Sequence, residues 1–313
     1  MSRRVALTGS SGLIGQRLRA ALLERGDHVV PFVREGGGGG TGERVWSPAA
    51  GGLDPALLED IDAVVHLAGE PIAGGRWTAS RKRRILESRA RGTRLLCEAL
   101  AELADPPGVL VSASAIGYYG DRGDAWLDED SGPGTGFLPD VCVAWEAALD
   151  PARAAGIRVA QARIGIVLAR EGGALASILP LFRMGVGGRL GRGRQYMSWI
   201  AIDDAVAALE HALDCADLAG PFNAVAPNPV TNAVFTRTLS RVLARPAFLP
   251  VPAVALRLAL GELARELLLD GARIAPRRLE ATGFRFQHSD LEPALRHVLA
   301  RCGRQADGPR ETR

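Results

Sequence analysis

The sequence predicts an α/β fold in which a doubly wound parallel sheet carries helices on both faces. Short apolar runs alternate with longer segments of helical spacing through the first half of the chain. This alternation is typical of parallel strands joined by crossover helices. A glycine-rich turn between the first strand and the first helix indicates a ligand site in that sheet. The 313 residues are enough for one large domain or two modest ones.

The first strand is predicted at residues 5–7, and the turn after it holds Gly9, Gly12 and Gly15. Gly9 allows a sharp turn, Gly12 leaves space for a pyrophosphate, and Gly15 lets the next helix pack closely. Free N–H groups at the start of that helix, predicted at residues 16–25, favour a bound anion. A purely structural turn is the alternative. The predicted cofactor-binding residues here are Gly9, Ser11, Gly12, Leu13, Ile14 and Gly15.

The second predicted strand, His28–Val33, is followed directly by Arg34. Proteins specific for NAD place an acidic residue at this point, where it binds the ribose 2′-hydroxyl. An arginine suits the 2′-phosphate of NADP instead, because its planar guanidinium pairs with phosphate oxygens. Val33 and Arg34 are therefore predicted to contact NADP, with a solvated arginine as the alternative. Residues 36–40 are all glycine and are predicted to form a flexible loop.

The apolar run at residues 61–69 predicts a buried parallel strand. Ligands of open parallel sheets gather at the carboxyl ends of the strands. Leu67, Ala68 and Gly69 at this end are therefore expected to line the cofactor site. His66 is expected to be a core histidine rather than a catalyst.

Further strands and helices complete the predicted sheet. They are a helix at residues 77–100, a strand at 109–112, a helix at 137–155, the strand Arg158–Ile164, a helix at 204–213 and a strand at 222–225. The loop from Ser112 to Gly120 is expected at a strand end, where hydroxyl groups are functional candidates. Ser112 is predicted to contact the cofactor.

The domain organisation is predicted to be interleaved. Residues 1–170 form the NADP-binding domain, to which residues 194–226 return. Residues 171–193 and 227–303 form a smaller substrate-side subdomain. Residues 304–313 are expected to be a disordered tail.

Composition and charge favour a soluble cytoplasmic protein with a small-molecule substrate. The net charge is +3, and the basic run at residues 81–84 fits a solvated or phosphate-facing surface better than a nucleic-acid site. The four cysteines are far apart and the five histidines are scattered, so neither a disulfide framework nor a metal site is expected. No apolar run is long enough to span a membrane, and no membrane partner is expected. For the oligomeric state, the sequence is compatible with both a monomer and a homodimer.

Several motifs together carry a family resemblance over nearly the whole chain. Thr8-Gly9-x-x-Gly12-x-Ile14-Gly15, Leu67-Ala68-Gly69 and Ser114 before Tyr118 resemble extended short-chain dehydrogenases/reductases of the NAD-dependent epimerase/dehydratase type. Trp145-Glu146, Ser198-Trp199-Ile200 and residues 276–284 resemble an atypical branch with its own C-terminal module. The resemblance implies a Rossmann-like fold and a nicotinamide cofactor.

The chain departs from this family at the catalytic pair. Ordinary members use a tyrosine with a lysine four residues later, because a phenol of pKa ~10 must be brought nearer neutrality. The matching positions hold Leu138 and Cys142, and Lys82 is the only lysine of the chain. Arg89 replaces the usual helix asparagine.

Other residues are hypotheses for the missing acid and base. Tyr118 or Tyr119 is predicted to donate a proton to a substrate oxygen that Ser114 also binds; aromatic packing over the nicotinamide is the alternative. Cys142 is a reactive thiolate if a guanidinium lies near it, and otherwise inert.

Three arginines are predicted to bind the cofactor. Arg84 and Arg89 fit its phosphate or ribose, with a surface-helix role as the alternative. Arg163, at a strand end, fits phosphate or substrate. Ser198 and Trp199 are predicted to line the substrate cleft, although a buried tryptophan needs no such role.

These residues lead to three hypotheses for function. The first is an NADP-dependent oxidoreductase or epimerase that transfers hydride on a carbonyl, alcohol or sugar-nucleotide substrate. The second is a non-catalytic NADP(H)-binding sensor or scaffold that has lost the acid/base pair. The third is a reductase of activated or flavin-like acceptors, which need no proton donor from the protein.

Overall fold

The computed structural model describes residues 2–34, 42–49 and 51–300. The strands are β1 Arg4–Thr8, β2 His28–Val33, β3 Arg44–Val45, β4 Ala63–His66, β5 Val109–Ala115, β6 Trp126–Leu127, β7 Arg158–Ile164, β8 Ile166–Leu168, β9 Tyr196–Met197, β10 Trp199–Ala201, β11 Gly220–Ala224, β12 Val230–Thr231 and β13 Arg273–Ile274. The helices are α1 Leu13–Glu24, α2 Ala79–Ala101, α3 Phe137–Ala147, α4 Asp150–Ala154, α5 Gly173–Arg183, α6 Ile202–Asp214, α7 Asn232–Leu243, α8 Ala253–Leu260, α9 Arg277–Ala281 and α10 Leu291–Ala300. A π-helical turn spans Ala264–Leu269, and 3-10 turns span Pro55–Leu58 and Ile116–Tyr119.

A seven-stranded parallel sheet forms the centre, with the strand order β3-β2-β1-β4-β5-β7-β11. In register, Val5 of β1 lies opposite Val29 of β2 and Ala63 of β4. The chain starts in the middle, runs outward to β3 and then returns to β4. This reversal leaves a crevice between β1 and β4 at the carboxyl ends of the strands, which is the usual ligand position in such sheets. The predicted doubly wound, Rossmann-like sheet is confirmed.

Helices cover both faces of this sheet because alternate strand residues point to opposite sides. Val5 and Leu7 pack with Leu18 and Leu22 of α1 and with Leu209 of α6. On the other face the buried apolar residues come from β1, β4, α2 and α4, and include Ala6, Val64, Leu96, Leu100 and Ala152. Each fully buried leucine or valine contributes about 1.5–3 kcal/mol to folding.

The C-terminal half adds a second core beside the sheet. Residues of α5, α7 and α10 form it, among them Leu179, Phe235, Leu239 and Leu295. Between these elements, β11 returns to the edge of the main sheet beside β7. Residues 253–275 lie between α7 and α9 in the chain. They form α8, the π-helical turn and β13, and they provide residues to the candidate site.

Some predicted elements match the structure and others differ from it. The strand bounds His28–Val33 and Arg158–Ile164 are confirmed. The single helix predicted at residues 137–155 is wrong, because the chain breaks before Pro151, whose missing N–H cannot continue α3. Strand β5 extends to Ala115, so residues 112–115 are not a loop. The predicted loop at 36–40 and tail at 304–313 lie outside the described residues.

No helix in the described part of the chain is both long enough and apolar enough to cross a membrane.

Candidate functional site

The glycine turn between β1 and α1 has the tight geometry that the sequence predicts. Gly9 has a φ of +71°, and a Cβ there would lie 2.8 Å from the carbonyl carbon of Leu67. A Cβ at Gly15 would overlap the carbonyl oxygen of Gly9. Gly12 is the N-cap residue of α1 and provides no side-chain hydrogen bond to it. The amino end of α1 therefore keeps backbone N–H groups available for an anion.

A first cavity of about 630 Å³ lies over this turn, at the carboxyl ends of β1, β2 and β4. It brings together the predicted residues Gly9, Ser11, Gly12, Val33, Arg34, Leu67, Ala68, Gly69 and Arg84. Leu13, Ile14 and Gly15 form the first turn of α1 beside them. Arg34 is exposed at the end of β2. The sequence thus located part of the lining of this cavity.

The wall of the first cavity also holds residues that the sequence did not single out. Trp46 is buried, and its Nε1 has no hydrogen-bond partner in the described structure. Arg91 and Glu87 of α2 line the opposite side. An unsatisfied buried indole N–H costs free energy unless a ligand accepts its hydrogen bond. Trp46 thus places an unpartnered buried donor in the wall of this cavity.

A second cavity of about 230 Å³ lies at the carboxyl end of β5 and is lined by Leu138 and Cys142 of α3. Neither residue can act as an acid or base there. The Cys142 sulfur lies 3.7 Å from the carbonyl oxygen of Ala115. Burial, together with the nearby Glu146 carboxylate, raises the pKa of the thiol to about 12. Both causes favour the protonated, inert thiol over the thiolate alternative.

Arg89 and Lys82 of α2 have mainly structural contacts. The Arg89 guanidinium lines the second cavity and donates to the backbone oxygen of Glu70 at 2.9 Å. A Cβ at Gly69 would lie 3.1 Å from its Cζ atom, so Arg89 supports the segment that joins the two cavities. Burial lowers its pKa. Lys82 forms an ion pair with Glu262 at 2.8 Å and lines neither cavity.

Three of the predicted site residues form a buried polar network instead. Arg163 donates to Glu146 through Nε at 2.9 Å and Nη2 at 2.8 Å. Ser114 donates to the same carboxylate at 2.6 Å. The Tyr119 hydroxyl accepts from Arg163 at 3.0 Å and donates to Asn223 at 2.7 Å. These side chains bind one another.

The polar groups of Ser114, Tyr119 and Arg163 are thus engaged with one another and with Glu146, and their roles at the site stay predictions. None of the three lines either cavity. In the extended β5, Ser114 lies opposite Arg163 of β7, which explains why their side chains meet inside the protein. Burial raises the pKa of Tyr119 to about 12, so its phenol is a poor acid or base at neutral pH.

Tyr118 and Ser112 also lie outside the two cavities. The Tyr118 ring packs against the Arg163 guanidinium, whose Cζ atom is 3.5 Å from the ring centroid. This is aromatic packing on an arginine, next to Gly117, which lines the second cavity. Ser112 is fully buried and donates to the carbonyl oxygen of Ala113. Strand β5 continues past it to Ala115, and its contact with a cofactor stays a prediction.

Ser198 and Trp199 have buried hydrogen-bond partners of their own. Both are fully buried. The Ser198 hydroxyl donates to the carbonyl oxygen of Ala272 at 2.8 Å and accepts from the backbone N–H of Ile274. The Trp199 indole donates to the carbonyl oxygen of Asn228. The Ser198 hydroxyl thus holds the C-terminal segment at Ala272 and Ile274, and the substrate contact of Ser198 and Trp199 stays a prediction.

The C-terminal segment provides residues that the sequence analysis missed. Glu266, Asp270 and Tyr196 line the second cavity. Glu266 accepts hydrogen bonds from the backbone N–H groups of Phe137 and Leu138, so it caps α3. Asp270 has no side-chain hydrogen bond among the described residues, and burial near the carboxylate of Asp121 raises its pKa to about 6. In the sequence, Asp270 is distinguished only by its position next to Gly271. An acidic residue next to a glycine is too common to indicate a site.

Two histidine environments complete the description. His66 is buried between the hydroxyls of Thr8 and Thr93, and burial lowers its pKa to about 4, as expected for a core histidine. Far from both cavities, ligand atoms of Asp203, His288 and His297 lie within 4.8 Å of one another. The scattered histidines thus partly converge in space, which their spacing in the sequence did not indicate.

Sequence comparison identifies two matching families. Residues 5–225 match the NAD dependent epimerase/dehydratase family. Residues 251–298 match a domain of unknown function, DUF1731. The first match covers the sheet and the first cavity, and the second covers Glu266 and Asp270.

Individual relatives are similar over nearly the full chain. An epimerase family protein of Mycobacterium tuberculosis is 46% identical over 299 residues, covering 96% of this chain and 98% of that protein. The crystal structure of human epimerase family protein SDR39U1 with NADPH has a TM-score of 0.86 at 35% identity, covering 95% of this chain and 99% of that chain. A nucleoside-diphosphate sugar epimerase from Corynebacterium glutamicum has a TM-score of 0.79 at 38% identity, with 96% of this chain matching 58% of that longer one.

Proposed function

Because the chain belongs to the NAD dependent epimerase/dehydratase family, we propose that it binds NADPH along the two cavities and reduces a small carbonyl substrate, or oxidises the corresponding alcohol. One observation carries the proposal. The uncapped amino end of α1 lies at the reversal of strand order, with Arg34 at the end of the neighbouring strand. This is where a parallel sheet of this type binds a dinucleotide.

The residues of the first cavity fit the adenosine side of this cofactor. The glycine turn leaves room for a pyrophosphate against the N–H groups of α1. Arg34 provides a planar guanidinium for a ribose 2′-phosphate, and the Trp46 indole N–H provides an unused donor. The human relative was crystallised with NADPH, which supports the same preference here.

The residues of the second cavity fit a reaction in which Asp270 handles the proton. A reduced nicotinamide supplies hydride in this chemistry. Leu138 and Cys142 cannot donate the accompanying proton, whereas Asp270 lies in the same cavity and keeps a proton to higher pH than an ordinary aspartate. In reduction, the Asp270 carboxyl gives its proton to the substrate oxygen. In oxidation, its carboxylate takes the proton from the alcohol.

A non-catalytic NADP(H) sensor or scaffold is the second candidate function. The apolar pair Leu138 and Cys142 favours it, because both residues line the second cavity and stand where the family resemblance places tyrosine and lysine. Both functions need the first cavity. They differ in whether the second cavity turns over a substrate.

Turnover with NADPH labelled with deuterium at C4 separates the two functions. We expect deuterium to be transferred to at least one member of a panel of aldehydes, ketones and keto-sugar nucleotides. An Asp270→Asn variant should lose about 10²–10⁴-fold in kcat while its affinity for NADPH is unchanged. The control is Asp124→Asn, which makes the same change at an exposed aspartate just before β6. NADPH binding without transfer to any member would support the sensor, and full activity of Asp270→Asn would remove Asp270 from the mechanism.

The ionisation of Asp270 also predicts a stability effect that needs no substrate. Its folded pKa of about 6 lies above the ordinary value of 3.8, so the folded state binds more protons between these values. The contribution of Asp270 to stability therefore falls as pH rises through this window. We expect Asp270→Asn to raise Tm relative to the native chain at pH 8 and to have little effect at pH 4. Thermal unfolding at both values measures this, and an equal effect at both would contradict the environment described for Asp270.

A further inference from the structure

Two segments of the C-terminal half carry positive charge without any acidic residue. Residues 172–202 and 233–261 contain eight arginines and no aspartate or glutamate. The net charge of the whole chain is only +3, so the rest of the protein is net negative. All eight arginines are exposed. Within the described structure only one of them, Arg241, forms an ion pair, with Glu292.

The two segments lie against each other in the fold. The backbone N–H of Val251 donates to the carbonyl oxygen of Arg189 at 2.9 Å, and the N–H of Gly191 donates to the carbonyl oxygen of Val251 at 2.9 Å. A Cβ at Gly185 would lie 3.3 Å from Pro246. Residues 184–192 and 245–253 therefore share one region of the surface.

The same region exposes large apolar side chains. Met184 is 67% exposed, Phe248 72%, Val254 65% and Leu258 74%. Helix α8, with the sequence Ala-Val-Ala-Leu-Arg-Leu-Ala-Leu, has no buried residue. We name Met184, Phe248, Val254 and Leu258 the apolar patch. Large exposed apolar side chains grouped in one region of the surface mark a contact with a protein or a membrane.

We propose that the apolar patch and the arginines around it dock on the surface of an anionic lipid bilayer. Arg189, Arg245 and Arg257 lie beside the patch in sequence and are positioned to contact lipid phosphates while the apolar side chains enter the headgroup region. A second copy of this chain is disfavoured, because it would bring arginines against arginines. This mode needs no membrane-spanning helix, because the protein lies on the bilayer. The proposal revises the expectation that the protein has no membrane partner.

Flotation of the purified full chain with lipid vesicles tests the proposal. We expect about tenfold more protein on vesicles of phosphatidylcholine with about 30 mol% phosphatidylglycerol than on phosphatidylcholine alone. High salt should remove most of this binding, because it screens exposed charges. Two variants should each reduce it about tenfold or more: Phe248→Ser with Leu258→Ser, and Arg189→Gln with Arg245→Gln. All four side chains are exposed, so the variants should keep the native fold, which circular dichroism checks.

The control variant is Leu23→Ser with Val143→Ser, two exposed apolar residues elsewhere on the molecule. It should bind vesicles like the native chain. Three results would overturn the proposal: no binding to any vesicle, equal binding by the patch and control variants, or self-association that the patch variants abolish in the absence of lipid. Binding to poly-glutamate but not to vesicles would also overturn it, in favour of an acidic protein partner. None of these results depends on whether NADPH binds.

Discussion

Gly15→Ala is expected to remove nucleotide binding and to destabilise the fold. The added methyl group would overlap the carbonyl oxygen of Gly9, which is backbone and cannot rotate away. Either the turn or the first turn of α1 must shift, at a cost of about 1–3 kcal/mol. Because the proposed pyrophosphate site consists of these backbone groups, affinity for NADPH should fall at least about tenfold. Urea unfolding and isothermal titration with NADPH measure the two effects.

Gly108→Ala is the matched control for this substitution. A Cβ at Gly108 would have no neighbour within 4 Å, and its φ is not in the left-handed region. The control should leave stability and affinity for NADPH close to those of the native chain. If Gly15→Ala behaved like the control, the close packing of α1 on the glycine turn would be wrong.

Glu146→Ala is expected to be the most destabilising substitution in the buried polar network. It would leave the Arg163 guanidinium without its carboxylate partner and would remove the acceptor of Ser114. Removing one member of a buried ion pair costs about 3–5 kcal/mol, because the other charge stays buried and unpaired. The free energy of unfolding in urea measures this loss.

Two comparisons test the cause of that loss. Glu98→Ala breaks an ion pair with Arg94 on the surface of α2 and should change stability little. Glu146→Leu combined with Arg163→Met should recover part of the stability lost in Glu146→Ala, since neither charge is then buried. If Glu146→Ala were as stable as Glu98→Ala, the network would not hold α3 against the sheet.

The central sheet could be predicted because strand and helix signals are local. Apolar runs such as His28–Val33 and Arg158–Ile164 are bounded by polar or glycine residues, and their observed ends match the predicted ones. The glycine turn was predictable for a similar reason, because the left-handed conformation of Gly9 and the crowding at Gly15 restrict those positions to glycine.

The catalytic side of the site could not be predicted in the same way. A sequence shows that Ser114, Tyr119 and Arg163 lie near strand ends, but not that their side chains meet inside the protein. That outcome depends on the register of β5 against β7 and on the position of Glu146 in α3. The hydrogen bonds of Ser198 and Trp199 could not be predicted for a related reason, because their partners Ala272 and Asn228 come from distant parts of the chain.

Asp270 was missed because its environment is entirely tertiary. It follows the π-helical turn and reaches the second cavity only through packing of the C-terminal segment against α3, where Glu266 caps the helix. Its raised pKa comes from burial and from Asp121, which lies far away in the sequence. Neither cause leaves a pattern along the chain.

The most direct test of the account compares the affinities of NADPH and NADH by isothermal titration. We predict that NADPH binds about tenfold to a hundredfold more tightly, because charged hydrogen bonds from Arg34 to a 2′-phosphate are worth about 1.5–3 kcal/mol. Arg34→Gln should remove most of this preference and leave the affinity for NADH unchanged. Equal affinities for the two nucleotides in the native chain, or no binding of either, would contradict the central claim.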